Sequence, residues 1–261
     1  MSVRYEVDHR IAIITLDRPE ARNALDPAML YGLAEAWDAA EDDDDVLAVI
    51  LTGAGDEAFC SGADLKLTIP GVTGGRGDEQ RYPNSNRTLL RDRFFPKPIV
   101  AAVNGHCIAG GLELLLATDL RYAAEHATFG LQQVRWGLMP ISGATVRLPR
   151  QVPHCRAMEL LLLGDRIDAP TALEIGLVNE VVPAGPGQAL DRAREIAERL
   201  CRNGPLAVRR IKEAVWRGQR LPQADALLEE LRLGTEVYAS DDAKEGPAAF
   251  ADKREPRFTG R

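Results

Sequence analysis

Cysteine is scarce and scattered. The 261 residues hold four, Cys60, Cys107, Cys155 and Cys201, and none forms a Cys-x-x-Cys pair. The four histidines, His9, His106, His126 and His154, show no ligand spacing either, so no metal site is expected. Aromatic residues make up only 5% of the chain, net charge is −7, and no basic cluster interleaves with aromatics, which excludes nucleic acid as an expected partner. An anionic substrate would need a local positive patch. No stretch reaches the roughly 18 consecutive apolar residues of a membrane span. The start "MSVRYEVDHRIAIITLDRPE" has neither a charged head before a long apolar run nor a small-residue cleavage site. The expectation is an untargeted, cytoplasmic protein with no membrane partner.

What is present is a well-patterned globular chain, 45% hydrophobic and 27% charged, long enough for one large core or a core with an appendage. "YEVDH" and "IAIITLDRP" alternate apolar and polar residues and predict a strand hairpin ending before Pro19. In "DPAMLYGLAEAWDAAEDD", Asp26 is a candidate N-cap, Pro27 opens a helix, and apolar residues follow at helical spacing through Trp37. "VLAVILTG" and "KPIVAAVNG" are continuous apolar runs, as strands covered on both faces require. The acidic run Glu41 to Asp45 reads as a solvated connection. "LELLLATDLRYAAEHATFG" reads as a short buried helix followed by strand material ending at Gly130. Strand, strand, helix, strand, helix, strand argues for an α/β core.

Between the two buried strands, Pro70 to Asn86 is rich in Gly, Pro and polar residues and is expected to form a loop beside whatever site exists. Its "RGD", Arg76 to Asp78, reads as a coincidental three-letter match. From Gly187 onward helices follow one another. Several are amphipathic and need another subunit to cover their apolar faces.

Two glycine-containing turns each follow a buried strand. "GAGDEA", Gly53 to Ala58, fits G-x-G-x-x-A, yet the continuation "FCSGADLK" contains another glycine turn instead of opening a helix. No acidic residue closes a second strand about twenty residues on, so a dinucleotide site is not supported. In "VNGHCIAGGLELLLATD", Gly110 and Gly111 introduce a helix expected to run through Ala117. Its unpaired N–H groups and positive dipole end are suited to a developing oxyanion. Glu113 lies in the first turn of this helix inside an apolar run. A carboxylate buried there is expensive unless it is paired or used.

Together these segments resemble the enoyl-CoA hydratase/isomerase (crotonase) family. "EAFCSGADLK" is similar to its A-F-x-x-G-A-D-[IL] loop, and "NGHCIAGGLELLLATDL" to its N-G-x-x-x-G-G-x-E-[LI] segment. "TLDRPEARNALD", "GDRIDAPTALEIGLVNEVVP" and "EGPAAFADKREPRF" extend the resemblance over most of the chain. It implies an α/β fold, a spiral of β-β-α repeats over residues 1–190, with a helical oligomerisation region over 191–261 that packs in trimers, often paired into hexamers. The implied substrate is an acyl-CoA thioester, with coenzyme A part of the substrate and no separate cofactor. Carried over by position, the N–H groups of Ala63 and Gly110 form an oxyanion hole. Ala21, Arg22 and Ala24, together with Asp64, Leu65 and Lys66, contact coenzyme A. Phe250 and Lys253 match positions that reach the nucleotide from a neighbouring subunit.

One segment departs from the pattern. The family motif resembling F-G-x-P-E-x-x-x-G-x-x-P reads "FGLQQVRWGLMP" here, so Gln132 replaces the proline and Gln133 the second glutamate of a pair whose first member matches Glu113. An amide can donate and accept hydrogen bonds but cannot transfer a proton near neutral pH. The leading expectation is 2-enoyl-CoA hydration with one catalytic carboxylate. The alternatives are another reaction of the family (isomerisation, decarboxylation or thioester hydrolysis) or binding of acyl-CoA without turnover. His106 is a candidate substitute proton donor, and Arg135 a candidate partner of Glu113. The loop at 70–86, Trp136 and "PISGATVRL" are expected to shape the acyl pocket.

Overall fold

The computed structural model describes residues 2–64, 66–68, 85–91 and 93–261. Leu65, most of the loop expected between Pro70 and Asn86, and the Arg76–Asp78 triplet lie outside the described residues.

Val3–Asp8 (β1) and Ile11–Leu16 (β2) form the expected antiparallel hairpin, with Val3 opposite Leu16 and Asp8 opposite Ile11. Helix α1, Pro27–Asp42, begins where the sequence places it, and the Asp26 carboxylate accepts a hydrogen bond from Met29 N–H at 2.7 Å. Glu41, in the last turn of that helix, pairs with Arg93.

A unit of long strand, sharp turn, short strand and helical turn then recurs. Ala48–Gly53 (β3) leads to Ala58–Cys60 (β4), and the helical turn Ser85–Thr88 (α2) follows further along the chain. Ile99–Val103 (β5) leads to His106–Ile108 (β6) and Gly110–Leu115 (α3). Leu120–Ala124 (β7) leads to Thr128–Gly130 (β8) and a 3-10 turn at Gln132–Trp136. Long strands collect in a six-stranded sheet of order β1-β2-β3-β5-β7-β10, where β10 is Glu180–Val182. Short ones collect in a four-stranded sheet of order β4-β6-β8-β9, where β9 is Arg166–Asp168. The repeated step from one sheet to the other is the expected spiral of β-β-α units. "GAGDEA" opens into β4 and not into a helix, as its second glycine turn implied.

The apolar runs are explained by what lies on each face of the large sheet. Leu16, Val49, Leu51, Ile99, Ala101 and Val103 face the main core with Met29, Leu33 and Trp37 of α1. Ile11, Ile13, Ala48, Ile50, Val100 and Ala102 face the opposite way, against Ala189, Ala193, Ile196 and Ala197. Those four belong to helix α7, Gln188–Cys201, which therefore straddles the expected boundary at residue 191 and seals the sheet. Between the third unit and α7 come Ala144–Gln151 (α4), His154–Leu163 (α5) and Ala169–Glu174 (α6). Pro205–Gly218 (α8), Gln223–Tyr238 (α9) and Asp242–Ala251 (α10) complete the chain, with α8 packed along α9. Among the described residues no helix is long and apolar enough to cross a membrane.

Candidate active site

The small sheet ends in two turns that meet. Strand β4 runs into Ser61, Gly62 and Ala63, and the neighbouring parallel strand β6 runs into Ala109 and Gly110. Gly62 has φ +92, and a Cβ added there would lie 2.9 Å from Ala109 Cβ and 3.0 Å from Gly110 N. Only glycine allows the two chains to approach so closely. A Cβ on Gly110 would in turn lie 3.6 Å from Ala63 N, so the two predicted donors are neighbours. Ala109 holds φ 52 although it carries a side chain, and its N–H is fixed on Gly130 O at 2.8 Å. Strain of this sort persists where the surroundings impose it, often at a functional site. Among the described residues neither Ala63 N–H nor Gly110 N–H has an acceptor within the protein.

Helix α3 ends at Leu115, two residues short of the expected Ala117, because Leu116 caps it. Its Glu113 side chain is buried, with 4% of the residue exposed. Glu113 Oε1 accepts from Ser142 N–H at 2.6 Å and more weakly from Ala144 N–H at 3.4 Å, while Oε2 accepts from Gln133 Nε2 at 3.1 Å. Burial raises the Glu113 carboxyl above its ordinary value. These three hydrogen bonds and the charge of Arg147 offset part of that rise. The carboxyl is thus poised as a base closer to neutral pH than an exposed glutamate.

The adjacent glutamines have different partners. Gln132 Oε1 accepts from the Arg166 guanidinium at 3.2 and 3.1 Å, away from Glu113. Gln133 faces Glu113, and its own Oε1 is buried without a hydrogen-bond partner. Arg135, a candidate partner for Glu113, pairs with Asp165 and donates to Leu163 O instead. Among the described residues the cation acting on Glu113 is Arg147, which sequence reasoning missed. Its signal there was only one arginine inside "PISGATVRL". His106 is likewise not joined to the Glu113 pair; its Nδ1 lies 2.8 Å from Thr128 Oγ1. Burial, then Arg166 and Arg22, lower its pKa. Cys60 and Cys107 are register partners beneath the two turns, and burial pushes the Cys60 thiol up to about 12. A thiol held there is no nucleophile at neutral pH.

The segments expected to hold coenzyme A lie side by side. Leu25 N–H donates to Gly62 O at 2.8 Å, Asp64 N–H to Leu25 O at 3.0 Å and Ser61 N–H to Arg22 O at 3.0 Å. Ala21 closes a 3-10 turn, Arg22 and Asn23 are left-handed, and Ala24 O accepts from Arg18 at 2.9 Å. Burial alone would raise Asp64, but the N–H groups of Leu67 and Lys66 and the Arg18 guanidinium hold it below its ordinary value. The Lys66 side chain is exposed, and Arg22 pairs with Glu57. Phe250 and Lys253 sit at the end of α10, with Phe250 88% exposed. Among the described residues no hydrogen bond or ion pair links them to the cluster at residues 21–25 and 63–66.

The chain matches the family model described as Enoyl-CoA hydratase/isomerase over residues 6–261. It is 44% identical to enoyl-CoA hydratase EchA19 of Mycobacterium tuberculosis over 95% of this chain and 93% of that protein. It is 38% identical to (E)-benzylidenesuccinyl-CoA hydratase of Thauera aromatica, with all of both chains covered. The crystal structure of an enoyl-CoA hydratase from Bacillus anthracis superposes with a TM-score of 0.91 at 37% identity, again over the whole of both chains. A spiral of two-sheet repeats, paired turns with unengaged N–H groups and a match spanning nearly every residue lead to one conclusion: the chain belongs to the enoyl-CoA hydratase/isomerase family.

Proposed function

We propose that the protein hydrates 2-enoyl-CoA thioesters with Glu113 as its single catalytic carboxylate and Gln133 as the residue that orients the water. The observation that carries this reading is the pairing of acceptors. Gln133 spends its Nε2–H on Glu113 Oε2, which leaves its buried Oε1 without a partner beside an ionisable carboxylate oxygen. A water molecule has two protons to donate, and these two oxygens suit it. Held so, its oxygen lone pair is free to attack Cβ.

In the proposed reaction Glu113 takes one proton from the attacking water as the C–O bond forms. The electron pair of the double bond moves toward the thioester, whose oxygen becomes an enolate oxygen between the N–H groups of Ala63 and Gly110. Donors aimed at developing charge contribute roughly 3 to 4 kcal/mol each in other enzymes. Glu113 then returns the proton to Cα, so one water is added across the double bond. No cofactor is drawn on beyond the coenzyme A of the substrate.

Coenzyme A rests, in this reading, along Ala21, Arg22 and Ala24 and the loop at Asp64, Leu65 and Lys66. Phe250 and Lys253 are offered to the nucleotide by a neighbouring copy within a trimer or a dimer of trimers. What supports assembly is the exposed apolar face of α8 and α9, with Ile211, Val215, Leu227, Leu228 and Leu231 each more than half exposed. The mass measured by sedimentation tests it. All four cysteines are free, which suits a reducing cytoplasm.

Loss of enoyl-thioester absorbance across a panel of short and medium 2-enoyl-CoA esters tests the function. The expected result is slow hydration of at least one ester, abolished in Glu113→Gln. Tight CoA-ester binding with no absorbance loss for any acyl chain would overturn hydration in favour of a binding protein. Products of isomerisation, decarboxylation or hydrolysis would reassign the site to another reaction of the family.

A further inference from the structure

Helix α4 begins at the Glu113 carboxylate. Ser142 N–H and Ala144 N–H bind Glu113 Oε1, and Gly143 stands between them as the helix N-cap with φ +113. One turn later comes Arg147, whose side chain folds back over that N-cap. A Cβ added to Gly143 would lie 3.2 Å from Arg147 Nη1 and 3.4 Å from its Cζ. The guanidinium therefore lies against the one residue flanked by both backbone donors to Glu113.

Arg147 is also tied to a distant stretch of chain. Its Nη1 donates to Leu89 O at 3.4 Å, and its Nη2 to Leu90 O and to Arg91 O, the last at 3.5 Å. Leu90 adopts φ 48, a left-handed conformation unusual for leucine. These three oxygens are neutral, so they solvate the guanidinium without cancelling its charge. A second glutamate at position 133 would place two buried carboxylates against one arginine. With glutamine there, one carboxylate faces Arg147, and each favours the charged form of the other.

We propose that Arg147 is a positioning residue that acts through Glu113: its charge, folded over Gly143 and anchored on the carbonyls of Leu89, Leu90 and Arg91, favours the ionised form of the catalytic carboxylate. The kinetic meaning of this rests on the hydration reading, but the charge coupling does not. Among the described residues these groups act on the pair. Gln133 faces Glu113 from the 3-10 turn and is neutral. Arg220, beyond the end of α8, acts on Arg147 and lowers its proton affinity, as burial does more strongly, while Glu113 raises it. Arg121 of β7 also feels Arg147, and itself lies near Asp119 and the Cys107 thiol.

The test uses the free, full-length protein. Infrared difference spectra between the wild type and Glu113→Gln isolate the Glu113 carboxyl band, and its titration gives a midpoint without any substrate. In Arg147→Met that midpoint is expected to rise by about one unit, the lower end of what one nearby opposite charge contributes. In Arg147→Lys it stays near the wild-type value, while amide exchange at residues 89–91 quickens because an ammonium cannot reproduce the guanidinium fork. If Arg147→Met fails to fold, Arg147→Gln serves as the neutral variant, and the same rise is expected. An unchanged midpoint in whichever neutral variant folds would overturn the proposal. So would a lysine variant that shifts as far as methionine. Because no turnover enters the readout, a failure of hydration is distinguishable from a failure of this coupling.

Discussion

The two ends of the candidate site are built from different material. At one end Ala63 and Gly110 offer backbone N–H groups from paired turns, and their placement depends on Gly62, the strained Ala109 and the register of β4 against β6. At the other end Glu113, Gln133 and Arg147 offer side chains from three separate elements. A backbone end depends on how the chain turns, so it keeps its function through many side-chain changes. A side-chain end changes its chemistry with one residue. That difference makes Gln133, and not the turns, the place where a single substitution is expected to change the chemistry.

Breaking each end separately sharpens the contrast. The largest effect is expected at the side-chain end: Glu113→Gln removes the proposed proton-transfer group and is expected to lower kcat by about 10² to 10⁴, the range of general acid–base groups. Titration calorimetry should show the Kd for the CoA ester little changed. Gly62→Ala attacks the backbone end. Its methyl would press on Ala109 and Gly110 N at a φ of +92, separating the two donors. Loss of donor geometry predicts about 10² in kcat, together with a lower Tm by calorimetry because the strain is also felt in folding. An unperturbed kcat in this variant would mean that the two turns do not hold the thioester oxygen.

The smallest effect runs in the opposite direction. Gln133→Glu restores a second carboxyl beside Glu113, and absorbance assays are expected to show a rate about 10-fold higher, the lower part of what a general acid or base contributes. The gain comes with a second buried acid, so the two carboxyls should titrate as a pair with apparent values belonging to both. A rate no higher than the wild type would mean that the amide is not standing in the place of a proton-transfer group.

The backbone end was the more legible in the sequence. The two glycine turns, each after a buried strand, mark its place, and the hairpin, α1 and the buried strands follow from periodicity and capping. The side-chain end was only half legible. Glu113 stood out as a charge in an apolar run, and Gln133 as an exception to a pattern. Arg147 did not stand out, because its role comes from a fold-back over Gly143 and from carbonyls more than fifty residues away at Leu89 and Leu90. Arg135 was one candidate partner for Glu113 in the sequence, but it pairs with Asp165. The place of α7 was obscured for a related reason: its helical pattern groups it with the C-terminal helices, whereas Ala189, Ala193 and Ala197 pack it on the sheet.

The central claim is that one carboxylate, raised by burial, does both proton transfers. The pH dependence of kcat/KM for a 2-enoyl-CoA ester tests it most directly. Glu113 must be ionised to accept the proton of water, so activity is lost as pH falls through its raised midpoint. The account predicts a single acid-side ionisation above the ordinary glutamate value, absent along with the activity in Glu113→Gln. Full activity in Glu113→Gln, or a profile that stays flat down to the ordinary glutamate range, would contradict it.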